Sequence, residues 1–243
     1  MAQGRARAIL TAGGSEQLLA AGPELAGARL LAASPRGEIL IFGRVRPGAD
    51  DDGALVARLA SGRVVEITAP GARDTRFLGW TAGASGILLD SDEGVAGRRV
   101  AVEMRLDDLS RVVRWANDLD LRLGPLSTDG RTLAVAATDP SIGPGIGLLD
   151  LASGTLRELG VADDARGRLA PQAFSADDRW LLALDLGGRP QRALRVRTDD
   201  GRQAPAFMPC DDPEQLRLSP AGRWLVAVCR ESGRRELVLV DPV

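Results

Sequence analysis

The sequence predicts an all-β chain assembled from one repeated four-strand unit. Two kinds of short apolar run carry that expectation, one continuous and one alternating, both bounded by Gly, Pro, Ser and Asp. A turn that returns at a nearly constant interval carries it further. Its first residues, Ser34, Thr81, Ser127, Ser175 and Ser219, are separated by 47, 46, 48 and 44 residues. A period of about 40–50 residues with four strands per repeat is the mark of a β-propeller.

The elements follow in order. Arg7–Ala12 and Glu16–Ala20 flank the turn Gly13-Gly14-Ser15 and match the later hairpin 54–60 and 63–68. Residues 5–20 are therefore expected to complete the last unit. The first full unit runs from Ala28–Ala33 through Ser34-Pro35-Arg36-Gly37 into Glu38–Gly43 and on to that hairpin. In the second unit, Thr75–Trp80 and Gly86–Asp90 enclose a degenerate turn, and Arg99–Met104 and Ser110–Arg114 form the outer strands. The third restores the pattern with Leu121–Leu126, Ser127-Thr128-Asp129-Gly130 and Arg131–Ala136, and continues as Gly147–Asp150 and Leu156–Leu159. Ala173-Phe174, Ser175–Asp178, Arg179–Leu184 and Ala193–Arg197 make the fourth. Leu218–Cys229 and Arg235–Asp241 make the fifth.

The recurring Ser-Pro-x-Gly-Arg-x-Leu core, clearest at 219–226 and 127–135, resembles the TolB-type (WD40-like) β-propeller repeat over essentially the whole chain. The resemblance implies a single propeller across 1–243 made of four-stranded antiparallel blades. Five blades are favoured, with an incomplete six-bladed ring as the alternative. It implies no one activity, because such propellers serve as interaction platforms, sensor domains and gating domains on hydrolases. Second strands packed between blades on both faces should read as continuous apolar runs, as Leu133–Ala137 and Leu225–Cys229 do, whereas outer strands such as Ala193–Arg197 alternate. Gly37, Gly130 and Gly222 fall where the turn needs positive φ, and Asp178 holds that place in the fourth unit.

Composition narrows the chemistry. The chain has 243 residues, a formal charge of −2 and no His, Lys or Tyr. Without His there is no Ser-His-Asp triad, no Cys-His pair and no ordinary zinc site. A near-neutral charge gives no basic footprint for nucleic acid. No run approaches the 18 apolar residues of a membrane span, and Met1–Arg7 lacks the apolar core of a signal peptide. The expectation is thus a non-enzymatic chain without cofactor or metal, cytoplasmic as given, or periplasmic if a leader or anchor precedes this numbering. Cys210 and Cys229 bracket the paired strands of the last unit and could reach disulfide distance, which would imply an oxidising compartment; two reduced thiols are the other reading.

Several acidic stretches have the composition of sites. Asp90–Gly94 and Asp50–Gly53 look like fragments of calcium loops without the distant closing acid. Asp163-Asp164, Asp199-Asp200 and Asp211-Asp212 raise a glycosidase carboxylate pair, but read more simply as turns. Trp180 and Trp224 recur at one repeat position and are expected to pack between blades rather than to stack on a ligand. Loops joining second to third strands, and one blade to the next, should gather on one face around the channel mouth. That face would carry Arg46, Asp50, Asp51, Asp52, Asp92, Glu93, Asp139, Arg189, Arg230, Arg234 and Arg235. Charge of both signs on long loops suits a protein partner. The expected function is an interaction module or assembly subunit. An accessory or sensor propeller of a hydrolase or signalling protein, and a five-bladed carbohydrate-binding or glycoside-hydrolysing propeller, are the alternatives.

Overall fold

The structure, a computed structural model, describes residues 4–10, 15–22, 25, 28–34, 38–44, 54–72, 74–93, 99–116, 121–137, 145–159, 169–187, 191–206, 210, 212–218, 224–231 and 234–240. The fold is a five-bladed β-propeller. Blade 1 is β3 (Ala28–Ala33), β4 (Leu40–Arg44), β5 (Ala54–Arg58) and β6 (Val64–Glu66). Blade 2 is β7 (Thr75–Trp80), β8 (Gly86–Ser91), β9 (Val100–Arg105) and β10 (Arg111–Ala116). Blade 3 is β11 (Leu121–Leu126), β12 (Thr132–Ala137), β13 (Ile146–Asp150) and β14 (Leu156–Leu159). Blade 4 is β15 (Leu169–Phe174), β16 (Trp180–Asp185), β17 (Arg192–Arg197) and β18 (Gln203–Pro205). Blade 5 has three strands among the described residues, β19 (Pro213–Leu218), β20 (Leu225–Glu231) and β21 (Arg234–Val240). Within every blade, consecutive strands pair antiparallel.

The N-terminal segment forms a hairpin. β1 (Gly4–Leu10) and β2 (Ser15–Gly22) form a two-stranded sheet of their own, with Arg5 opposite Ala21 and Leu10 opposite Ser15. Among the described residues the ladders of this sheet run between β1 and β2 only.

Blade packing explains the continuous apolar runs. All six residues of β8 are buried, and Ile87, Leu88 and Leu89 have no exposed surface. Ile87 and Leu89 pack toward blade 1 with Ile41, Leu55 and Ala57, while Leu88 packs toward blade 3 with Leu121, Leu133 and Val135. Each such side chain contributes roughly 1.5–3 kcal/mol by leaving water. β12 behaves in the same way. β20 does not: Leu225, Ala227 and Cys229 are buried against blade 4, whereas Val226 and Val228 are half-buried. A similar apolar run yields alternation there because, among the described residues, one face of that sheet packs in a buried cluster with blade 4.

The innermost strands approach one another closely. A Cβ on Gly79 would lie 2.7 Å from Leu126 Cβ of the next blade, and one on Gly124 would lie 2.8 Å from Pro171 Cβ of the blade after. Every innermost strand also carries a register shift, at Leu30/Ala32, Phe77/Gly79, Leu123/Leu126, Pro171/Ala173 and Pro213/Gln215. Such bulges bend and twist the strand around the axis.

The repeated turn is a small hydrogen-bonded machine. In blade 3, Ser127 Oγ donates to Asp129 Oδ1 at 2.7 Å and accepts from the Thr132 amide at 2.9 Å, while the Ser127 amide donates to the Thr132 carbonyl. Blade 4 repeats these contacts with Ser175, Asp177 and Trp180. Blade 1 keeps the Ser34–Ile39 pair. In the degenerate turn of blade 2, the Thr81 hydroxyl is buried without a partner among the described residues. Gly130 has φ +73° and Asp178 φ +55°; Gly37 and Gly222 lie outside the described residues.

These turns also join blades. The Asp178 carboxylate accepts from the Thr128 amide at 2.9 Å and from the Thr128 hydroxyl at 2.6 Å. Gly130 lies against the preceding blade, where an added Cβ would meet the Ala82 amide at 2.4 Å. Gly130→Ala should therefore cost clearly more than Gly154→Ala. Both positions have positive φ, near +73° and +70°, but Gly154 faces open space. Chemical denaturation should show a loss of about 1–2 kcal/mol for Gly154→Ala, from backbone strain alone, and at least about 1 kcal/mol more for Gly130→Ala.

Candidate interaction face

The five innermost strands surround a channel of about 710 Å3, lined by residues of β3, β7, β11, β15 and β19. Strand direction places the second-to-third-strand ends and the blade-to-blade connections on one face. Asp92 and Glu93 lie there beyond β8, and Arg230, Arg234 and Arg235 lie there at the β20–β21 hairpin. Arg46, Asp50, Asp51, Asp52, Asp139 and Arg189 lie outside the described residues.

Most of these charges are engaged within the chain. Glu214 Oε1 accepts from Arg230 Nε at 2.6 Å and Oε2 accepts from Arg235 Nε at 2.7 Å. Partial cover pushes the Glu214 carboxyl up, but Arg230 and then Arg235 outweigh it, so the group titrates below the usual glutamate range. Asp92 Oδ1 accepts from the Asp74 amide at 3.1 Å. Glu93 pairs with Arg111 and accepts from Ser91 Oγ at 3.2 Å. Arg111 in turn donates to the Ile67 carbonyl at 2.8 Å, which ties blade 2 to blade 1. Arg234 is exposed and has no side-chain partner among the described residues.

Sequence reasoning missed the centre of this network. Asp90 is a fully buried carboxylate. It pairs with Arg76 directly across the β7–β8 ladder and accepts from Arg99 Nε at 2.6 Å. Arg99 Nη1 donates to Asp74 Oδ2 at 2.5 Å. Burial opposes the charge on Arg99, yet Asp90 and then Asp74 more than restore it, and its pKa rises. The signal was an acid ending the apolar run Ile87-Leu88-Leu89. Asp90, Asp92 and Glu93 thus turn to different partners rather than converging as a calcium loop would require. Among the described residues no group of three or more His, Cys, Asp or Glu is placed to hold a metal.

Other candidates sit elsewhere. Asp199 and Asp200 occupy the exposed β17–β18 turn on the opposite face, with Arg197 paired to both and Arg202 beside Asp200. Trp180 is half-buried beneath Arg195 and Arg197, whose guanidinium carbons lie 5.3 and 5.9 Å from its ring centroid. Trp224 is exposed. Contrary to expectation, Trp80 and Trp115 are the tryptophans packed against interblade clusters. The recurring position of Trp180 and Trp224 lies at the outer end of the second strand, short of the core.

Cys210 and Cys229 form a disulfide with Cα atoms 6.1 Å apart. The β19–β20 ladder brings them together, with Pro213 opposite Cys229.

The Glu214 pairs yield a pH prediction. A carboxyl whose folded pKa is lowered contributes stability above its unfolded pKa, about 4.3, and loses that contribution as pH falls through the folded value. Glu214→Gln should melt below wild type at pH 7, and the gap should close as pH falls below about 4. A gap of constant size from pH 7 to pH 3 in thermal melts would contradict the ion pairing.

No family model matches the chain, and no curated protein matches it. Solved structures do. A TolB candidate from Agrobacterium tumefaciens superposes with TM-score 0.70 at 15% identity, covering 93% of this chain and 80% of that one. TolB from Acinetobacter baumannii gives TM-score 0.62 at 17% identity, covering 78% of this chain and 46% of that protein. A prolyl endopeptidase gives TM-score 0.61 at 16% identity over 95% of this chain and 37% of the enzyme. At these identities the likeness concerns fold, and the fold of this chain is the TolB-type β-propeller.

Proposed function

We propose that this propeller is a non-catalytic binding module that engages a protein partner through the face bearing Asp92, Glu93, Arg230, Arg234 and Arg235. One observation carries the reading. Charged side chains of both signs on that face are held by intramolecular pairs, Glu93 with Arg111 and Glu214 with Arg230 and Arg235. A rim ordered before binding loses little side-chain entropy on association and presents a fixed charge pattern for selecting a partner. The absence of His, Lys and Tyr from the sequence favours binding over acid–base chemistry. The likeness to TolB structures supports this reading. The prolyl endopeptidase likeness supports a second one, an accessory propeller within a larger hydrolase.

The Cys210–Cys229 disulfide supports placement in an oxidising compartment such as a periplasm, in preference to the cytoplasm. In no helix of the described residues is there enough length and apolarity to cross a membrane.

The test is affinity purification from the native host under non-reducing conditions with carboxyl-directed cross-linking, because the chain has no lysine for amine reagents. A single stoichiometric partner cross-linked near Asp92 and Glu93 is expected. Recovery of the chain alone, without partner, would contradict the binding reading; recovery as part of a longer polypeptide would support the accessory-domain reading. Reduction supplies a separate check. The bridge spans 19 residues, so its loss should destabilise the chain by about 3 kcal/mol in denaturant titrations with and without reductant. Equal stability in the two conditions would contradict the disulfide.

A further inference from the structure

The second residue of the innermost strand is Arg29 in blade 1, Arg76 in blade 2 and Arg122 in blade 3. Blades 4 and 5 carry Ala170 and Glu214 at that position. All three arginines line the central channel, and Arg217 of β19 joins them further along it. Asp74 is the one acid among the described lining residues. The wall therefore holds an excess of positive charge in a chain whose formal net charge is −2.

Compensation within the chain is uneven. Arg76 faces Asp90 across the strand pair and is bonded to it. The residue opposite Arg122 is Ala136, and the Arg122 side chain makes no hydrogen bond or ion pair among the described residues. Arg217 is exposed, lines the channel and reaches the Leu216 carbonyl at 3.2 Å. Asp74 is already bonded to Arg99. A cation partly withdrawn from water without a counter-charge is costly, and a bound anion would relieve that cost. Leu123, Leu126, Phe174 and Leu218 supply apolar walls that concentrate the field inside the channel. A volume of about 710 Å3 is ample for a small polyanion.

We propose that the channel is a binding site for a carboxylate-bearing polyanion, gripped by Arg122, with Arg29 and Arg76 at the same level of the channel and Arg217 further along it. Guanidinium forks suit carboxylates because two parallel N–H groups meet two oxygens. The carboxylates could belong to a free small molecule or to the acidic side chains of an inserted peptide; the chemistry at the arginines is the same. The site requires no particular protein partner, so it stands or falls separately from the partner-binding reading.

Calorimetric titration of the intact chain tests it, with citrate as one probe and a heptaglutamate peptide as the other. Citrate should bind with a Kd below about 1 mM at low salt, and Arg122→Gln should weaken it at least about tenfold, as loss of a charge-assisted pair implies. Arg217→Gln should weaken it as well. Arg202→Gln, on the exposed β17–β18 turn, should leave binding unchanged. Circular dichroism melts establish that each variant is folded, and Arg122→Lys provides a second variant that keeps the charge and loses the fork. Arg122-dependent binding of citrate alone supports the site with a small-molecule source. Arg122-dependent peptide binding displaced by citrate supports it with a peptide source. Absence of binding by both probes, or equal weakening in Arg122→Gln and Arg202→Gln, would overturn it.

Discussion

The rest of the structure depends on the burial of second strands on both faces. β8 and β12 touch two neighbouring sheets at once, so neither can be packed unless blades on both sides are present. This makes the central blades interdependent: burying Leu88 requires blade 3, and burying Leu89 requires blade 1. A blade removed from the ring would expose two such strips of Leu, Ile and Val to water, at roughly 25 cal/mol per Å2. The small residues of the inner strands follow from the same demand, because Gly79 and Gly124 let adjacent blades meet at the axis.

Polar ties reinforce the apolar packing, and arginine supplies many of them. Arg111 connects blade 2 to the Ile67 carbonyl of blade 1, and Arg157 of blade 3 donates to the Thr198 carbonyl of blade 4 at 2.5 Å. Asp178 completes that second seam by receiving both donors of Thr128. Guanidinium groups suit these seams because one planar head can satisfy several acceptors at once. The same chemistry becomes an attraction for ligands where the acceptors are missing, as around Arg122 in the channel. Structural and binding arginines thus differ by their counter-charges rather than by residue type.

Local features were legible in the sequence, and relational ones were not. The Ser-x-Asp-Gly turn could be read because its hydrogen bonds close within six residues, from Ser127 to Thr132. Its degenerate copy at Thr81 still makes a turn, by way of the Gly86 carbonyl. The half-buried face of β20 could not be read, since burial there depends on what lies opposite another sheet. Nor could the neutralisation of Arg230 and Arg235, whose common partner Glu214 lies 16 and 21 residues away across two ladders. The channel arginines fall between these cases. Arg29, Arg76 and Arg122 recur at intervals of 47 and 46 residues, matching the repeat, but their meaning appears only once the inner strands are seen to share one channel.

The central claim is that blades are held by second strands shared between neighbours, and native-state hydrogen exchange tests it most directly. Amides of Ile87–Leu89 and Leu133–Ala136 should exchange only through global unfolding and share one free energy, while those of the outer strands β6, β10 and β18 exchange through smaller openings. Independent exchange of blade 2 and blade 3 second strands, with different opening free energies, would contradict the account.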